Sequence, residues 1–135
     1  MPLWTFWDCL SESKRNVIRE WIAGQPQGTR QHLKAALNVL LMELEQVDGP
    51  FDRACGVGQL HGPCKGLHEL ILKVDKIQFR VIGCYGPAQR GEFSLLAGAI
   101  EKDRVFTEPR ICRTAQDRRV RIMGDRRFIV EHDYD

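Results

Sequence analysis

The sequence predicts a single α+β domain: an N-terminal helical hairpin packed on a small twisted antiparallel sheet of three to five strands, followed by a C-terminal helix. Three observations carry this expectation. Apolar residues recur at spacings of three and four up to about residue 44, they alternate at a spacing of two from about residue 68 to 100, and turn-forming residues separate the two regimes. Helices segregated from an antiparallel sheet define that class. The 135 residues are enough for one domain, 1–135, with a sizeable core. Hydrophobic residues make up 43% and charged residues 28%, so disorder, collagen-like and coiled-coil descriptions of the whole chain are excluded.

In chain order, Trp4 to Trp7 is a candidate short first strand. Ser11 and Ser13 precede Val17, Ile18, Trp21 and Ile22, whose spacing predicts a capped helix from about 13 to 23. Gly24, Pro26 and Gly28 break it, and Thr29 is a good N-cap for a second helix with the stripe Leu33, Ala36, Leu37, Leu40, Leu41 and Leu44. Two helices joined by a short break read as an antiparallel hairpin. Asp48-Gly49-Pro50 ends this half, and the Gly-, Pro- and Cys-rich stretch to Gly66 reads as an extended loop. Residues 68–74 and 77–85 are two β-rich runs around Asp75-Lys76, the pattern of a tight hairpin, and 92–100 completes a meander. Pro109 can open a last helix over about 109–121. The tail 125–135 reads as an extra strand or a mobile extension, with His132 and Tyr134 at a solvated terminus.

The five cysteines are an odd number in a chain with other means of building a core, and they read as reduced thiols. The apolar start lacks a basic leader, and no run of residues is apolar for long enough to span a bilayer, so the expected location is cytoplasmic. Cys55, His61, Cys64 and His68 are competent zinc ligands by type, but their C-x5-H-x2-C-x3-H spacing lacks a paired knuckle. Neither a metal nor another cofactor is predicted.

Lys plus Arg is 20 against 18 for Asp plus Glu, a formal charge of +2 that does not by itself announce a nucleic-acid partner. The distribution says more. Arg110, Arg113, Arg118, Arg119, Arg121, Arg126 and Arg127 crowd the last third against Asp117 and Asp125, while Lys65, Lys73, Lys76, Arg80, Lys102 and Arg104 spread over the predicted sheet and its loops. Arg80 lies mid-strand, on the face opposite Phe79 and Val81. There it needs a carboxylate or a phosphate as partner, and Glu69 or Glu92 would make an internal pair.

Three segments in order, Gly62-Pro63-Cys64-Lys65-Gly66-Leu67-His68-Glu69-Leu70, Phe79-Arg80-Val81-Ile82 and Leu95-Leu96-Ala97-Gly98-Ala99-Ile100-Glu101-Lys102, resemble the RelE/HigB family of type II toxin–antitoxin toxins, particularly its phage-derived branch. The resemblance covers roughly residues 10–120. It implies a ribosome-dependent mRNA endoribonuclease that needs no metal, and partners that include the ribosome, mRNA and a cognate antitoxin of helix-turn-helix type. Such chemistry needs a base for the ribose 2′-hydroxyl, cations for the phosphorane and a proton for the leaving oxygen. Carried over by position, Arg80 would clamp the scissile phosphate, Lys102 would supply a second cation, and His68 would be the acid or base unless it only fills an aromatic's place. Lys65, Lys73, Lys76, Arg104 and Arg110 would hold RNA. Ile71, Ala99, Glu101 and Asp103 depart from the family's pattern, which has Arg, Phe, Lys and Thr there. These changes weaken a phosphate site and raise the alternative of an inactive or repurposed RelE-like binding module, or of a ParE-like gyrase poison.

Overall fold

A computed structural model describes residues 2–51 and 54–135. The elements follow in the order β1 Thr5–Cys9, α1 Val17–Ala23, α2 Gln27–Leu44, β2 Val57–Gln59, β3 His68–Val74, β4 Ile77–Tyr85, β5 Glu92–Lys102, β6 Val105–Phe106, α3 Ile111–Gly124 and β7 Ile129–Glu131. Single 3-10 turns at Gly62–Cys64 and Arg126–Phe128 precede β3 and β7.

The predicted sheet of three to five antiparallel strands is corrected by the topology. The sheet is mixed and seven-stranded, ordered β2-β3-β4-β5-β1-β7, with β6 pairing β5 off this path. The meander β3-β4-β5 is antiparallel throughout, but β1 lies parallel to β5, with Thr5 opposite Glu92 and Asp8 opposite Leu95. Nor do the helices open the chain: β1, the short first strand expected near Trp4 to Trp7, precedes them and lies between β5 and β7. Of the two readings of the tail 125–135, the extra strand is found and the mobile extension is not: β7 pairs antiparallel with β1, and the His132 N–H donates to the Phe6 carbonyl at 2.9 Å.

Local chemistry shifts the helix boundaries. Lys14 has φ +66°, outside any right-handed helix, so α1 starts at Val17 under Asn16, whose side-chain oxygen accepts from the Ile18 and Arg19 N–H groups. The cap of α2 lies three residues before the expected Thr29, at Pro26, which supplies a φ of −53° without needing a donor. Its leucines are buried as the stripe requires. α3 runs three residues beyond the expected end, to Gly124. At the β3–β4 turn Asp75 and Lys76 take φ +50° and +66°, the left-handed pair of a two-residue hairpin, and Asp103-Arg104 repeats this between β5 and β6.

The sheet is covered on both faces. Under α1 and α2 lie Phe6, Leu70, Leu72, Phe79, Val81 and Phe93, joined by Phe51 from the following loop. Gly98 is required there, because a Cβ would fall 1.9 Å from the Trp21 ring. Under α3 lies a second core of smaller residues, including Cys9, Ile82, Cys84, Ala97 and Ala99 against Ile111, Ala115 and Ile122.

The expectation of five reduced thiols is also corrected: Cys64 and Cys112 form a disulfide that ties the 3-10 turn before β3 to the first turn of α3. Cys9 and Cys84 are free and buried, and Cys55 is free and exposed.

Candidate functional site

Period-two alternation puts Glu69, Ile71 and Lys73 of β3, Gln78 and Arg80 of β4, and Ala99 and Glu101 of β5 on the α3 side of the sheet. The register aligns them in rows, Lys73 with Gln78 and Glu101, and Ile71 with Arg80 and Ala99. α3 does not cover this end of the face, where Lys73 is exposed and Ile71 is 39% exposed. The face is polar where the helix stops.

Arg80 is the centre of this patch, with a side chain only 8% exposed. Its Nη1 donates to the Phe79 carbonyl at 2.8 Å and to Gln78 Oε1 at 3.3 Å. Nε lies 3.4 Å from Glu69 Oε1, and Nη2 lies 3.3 Å from Glu101 Oε2. Of the two partners expected from sequence, Glu69 is therefore found. Glu92 instead holds Arg126 at 2.9 Å, because it stands at the other end of β5. The carboxylate missed is Glu101. It had signalled only a lost cation, yet its position two residues from Ala99, the cross-strand partner of Arg80, is what brings it to the guanidinium.

One buried cation between two carboxylates carries a net charge of −1 when all three are ionised. Burial pushes the Glu69 carboxyl above its ordinary range; Arg80 opposes that rise and Glu101 adds to it. The patch therefore offers a fork of guanidinium donors and two carboxyl groups, one of which holds its proton more readily than a solvated glutamate. An oxyanion reaching this guanidinium would have to displace one of the two carboxylates, and the carboxyl groups beside it could then exchange protons with the bound group.

The other predicted site residues divide by location. Lys73, Lys76, Lys102 and Arg104 are all exposed and gather at one end of the sheet, because the turns after β3 and β5 lie side by side there. Asp75 and Asp103 share those turns, and Asp75 is held by His32 Nδ1 at 3.0 Å. Lys102 alternates with Glu101, so it leaves the sheet on the side opposite the Arg80 patch. Lys65 and Arg110 form a separate exposed pair of positions, close to the disulfide between residues 64 and 112.

His68 is on the other face. It shares its face with Leu70, Leu72 and Val74, is buried at 5% exposure, and sets its ring 4.9 Å from Tyr85 and 6.3 Å from Phe93. The sheet thus separates it from Arg80, and its packing is that of an aromatic ring. Of the residues weighed as zinc ligands, Cys64 is consumed by the disulfide. Among the described residues no group of three or more His, Cys, Asp or Glu is placed to hold a metal ion, and no helix is long and apolar enough to cross a membrane.

The tail holds a cluster that sequence reading placed in solvent. His132 is 9% exposed, its Nδ1 2.9 Å from Asp8 Oδ1 and its Nε2 2.9 Å from Asn38 Oδ1. The Asn38 amide nitrogen donates to the Tyr134 carbonyl, which fixes the amide orientation, and Tyr134 Oη donates to Glu45 at 2.7 Å. Burial raises the Tyr134 phenol above its usual range, and the Glu45 bond adds to that. With Nε2 closed off by Asn38, these groups fasten the chain end rather than present an acid or base.

No family model, no curated protein and no solved structure matches the chain.

Proposed function

We propose that the chain is the toxin component of a type II toxin–antitoxin system, acting in the cytoplasm on translating ribosomes by cutting mRNA and held silent by a cognate antitoxin of helix-turn-helix type. The observation that supports this reading most is the joining of the three RelE/HigB-like segments as neighbouring strands, which sets Arg80 within 3.4 Å of both Glu69 and Glu101. In the reaction the ribose 2′-oxygen attacks the adjacent phosphorus, the bond to the 5′-oxygen breaks, and a 2′,3′-cyclic phosphate and a 5′-hydroxyl are left. Glu101, the more exposed carboxylate at 23%, takes the 2′ proton. Arg80 bears the phosphorane's charge, and Glu69, whose burial favours its protonated form, supplies the proton to the leaving oxygen. Lys73, Lys76, Lys102 and Arg104 hold the RNA backbone around the end of the sheet, with Lys65 and Arg110 further along it.

A second reading is favoured by one observation: Arg80 is buried and already matched by two carboxylates, so an incoming phosphate must displace one of them. On that reading the chain is a RelE-like binding module, or a gyrase poison, without ribonuclease action. Expression from a tight promoter separates the two. The nuclease reading expects growth arrest, mRNA cuts mapped to translating ribosomes, and a loss of cutting of about 100-fold in Arg80→Lys with an unchanged circular dichroism spectrum. Arrest that persists in Arg80→Lys without mRNA cuts establishes the binding reading, and no arrest from the wild-type chain overturns the toxin assignment.

A further inference from the structure

The arginines of α3 carry a site that the Arg80 patch does not use. Arg118 and Arg121 are three residues apart, on one side of the helix, and both lean over the loop that joins β1 to α1. Arg118 Nη1 donates to the Leu96 carbonyl at 2.8 Å, and Arg121 Nη2 donates to the Leu10 carbonyl at 2.6 Å. Arg121 Nη2 also lies 3.8 Å from Cys9 Sγ, and its Nε is buried without a hydrogen-bond partner. Among the described residues neither guanidinium forms an ion pair with a carboxylate, although Arg15, Arg19, Arg80, Arg126 and Arg127 all do.

The two guanidinium groups, with Ser11, Glu12 and Ser13, line a shallow groove open to solvent. Ser11 Oγ and Ser13 Oγ stand 3.1 Å apart, and Ser11 Oγ also accepts from the Arg15 N–H. Lys14, the next residue in the chain, turns instead to the tail, its ammonium 3.7 Å from the centre of the Phe128 ring and bonded to the Arg127 carbonyl. Glu12 is the one acidic side chain in the lining, and it is exposed.

Each guanidinium has five N–H donors, and the protein supplies backbone carbonyls for only a few of them. Two like charges held side by side are costly unless an anion joins them. Consistent with that, burial lowers the proton affinity of Arg118, and the charge of Arg121 lowers it further.

We propose that this groove is a phosphate-binding site, in which Arg118 and Arg121 grip the phosphate oxygens and the Ser11 and Ser13 hydroxyls donate to them. Paired forks and small hydroxyls match a tetrahedral oxyanion in a shallow open groove. A phosphate diester in a single-stranded RNA backbone and a free phosphate present the same chemistry here, and experiment distinguishes them. The site stands apart from Arg80, since Arg118 holds Leu96 and Arg80 faces Ala99 further along β5. It therefore does not rest on the nuclease reading.

The test uses the full chain without ribosomes. Inorganic phosphate, a ten-nucleotide oligouridylate and a polyglutamate peptide are titrated while the amides of residues 11–13 and the guanidinium resonances of Arg118 and Arg121 are followed by NMR. The expected result is saturable shifts with phosphate. If the source is RNA, the oligonucleotide binds at least tenfold more tightly, and its log–log salt slope becomes shallower by about 1.4 in the Arg118→Gln, Arg121→Gln variant, as the loss of two contacts to single-stranded phosphates requires. Phosphate shifts without that gain identify a small phosphate ligand. Because Arg118→Gln also removes the bond to Leu96, Ser13→Glu serves as a second variant: it changes an exposed residue, and a tenfold weakening with an unaltered spectrum is expected. No shift with either phosphate probe, or shifts with polyglutamate alone, overturns the proposal. A failure here leaves mRNA cutting at Arg80 untouched, and loss of cutting in Arg80→Lys leaves this binding untouched.

Discussion

Under α1 and α2 the sheet buries Phe6, Phe51, Phe79 and Phe93 almost completely, whereas under α3 it buries Cys9, Cys64, Cys84, Ala97 and Ala99, with Arg118 and Arg121 set along the margin. The first face is a continuous aromatic and aliphatic core: Phe51 lies 5.3 Å from Phe93, Phe93 6.0 Å from Phe6, and Trp21 meets Phe79 edge-on at 5.8 Å. The second has smaller side chains and a covalent tie in place of large rings, and its uncovered end admits the Glu69–Arg80–Glu101 set. The difference teaches a division of labour. A sheet that buries large rings on one side can hold costly polar groups on the other.

The largest effect that would test this contrast is on the aromatic side. Phe79→Ala removes a fully buried ring and should lower unfolding stability by about 3–5 kcal/mol, measured by urea denaturation. A loss under about 1 kcal/mol would show that the face under α1 and α2 is not the dominant core. The next is Cys112→Ser, which should cost about 2–4 kcal/mol by freeing the loop between residues 64 and 112 in the unfolded chain. Hydrogen exchange should then rise in α3 before it rises in β3, β4 and β5. Uniform deprotection of all four elements would mean that the two faces are one cooperative core. The smallest effect is electrostatic. Because the Glu69 carboxyl titrates above 4.5 in the folded chain, the native state holds a proton that the unfolded state releases, and stability falls as pH rises from 4.5 through the raised value. Glu69→Gln should flatten that slope, read from denaturation midpoints between pH 4 and 8, and an unchanged slope would show that Glu69 is not its source.

What was legible in the sequence follows from the range of each interaction. Strands β3, β4 and β5 could be read because their alternation is local and the Asp75-Lys76 turn fixes their register. The parallel pairing of Thr5 with Glu92 and the antiparallel pairing of Trp7 with Glu131 leave no local mark, so the sheet was expected smaller and purely antiparallel. β2 is only three residues long and sits among glycines and cysteines that signal loop. For the candidate site, the need of Arg80 for a carboxylate could be read from desolvation alone, and Glu69 named from the adjacent strand. Glu101 was legible only as a missing cation, because its role depends on cross-strand register. His132 has no amphipathic signal at all: its partners Asp8 and Asn38 come from the far end of the chain and from a helix.

The pairing of β7 with β1 also sets an order of events during synthesis. β1 is made first and β7 after every other element, so one edge of β1 stays bare while the nascent chain grows. A bare edge is a template for pairing with any extended segment nearby. The closing of that edge, sealed by His132 on Asp8, therefore waits until residues 129–132 have left the exit tunnel. Until then the newly made protein is open to strand addition by another chain, and its sheet is completed only after synthesis has passed that point.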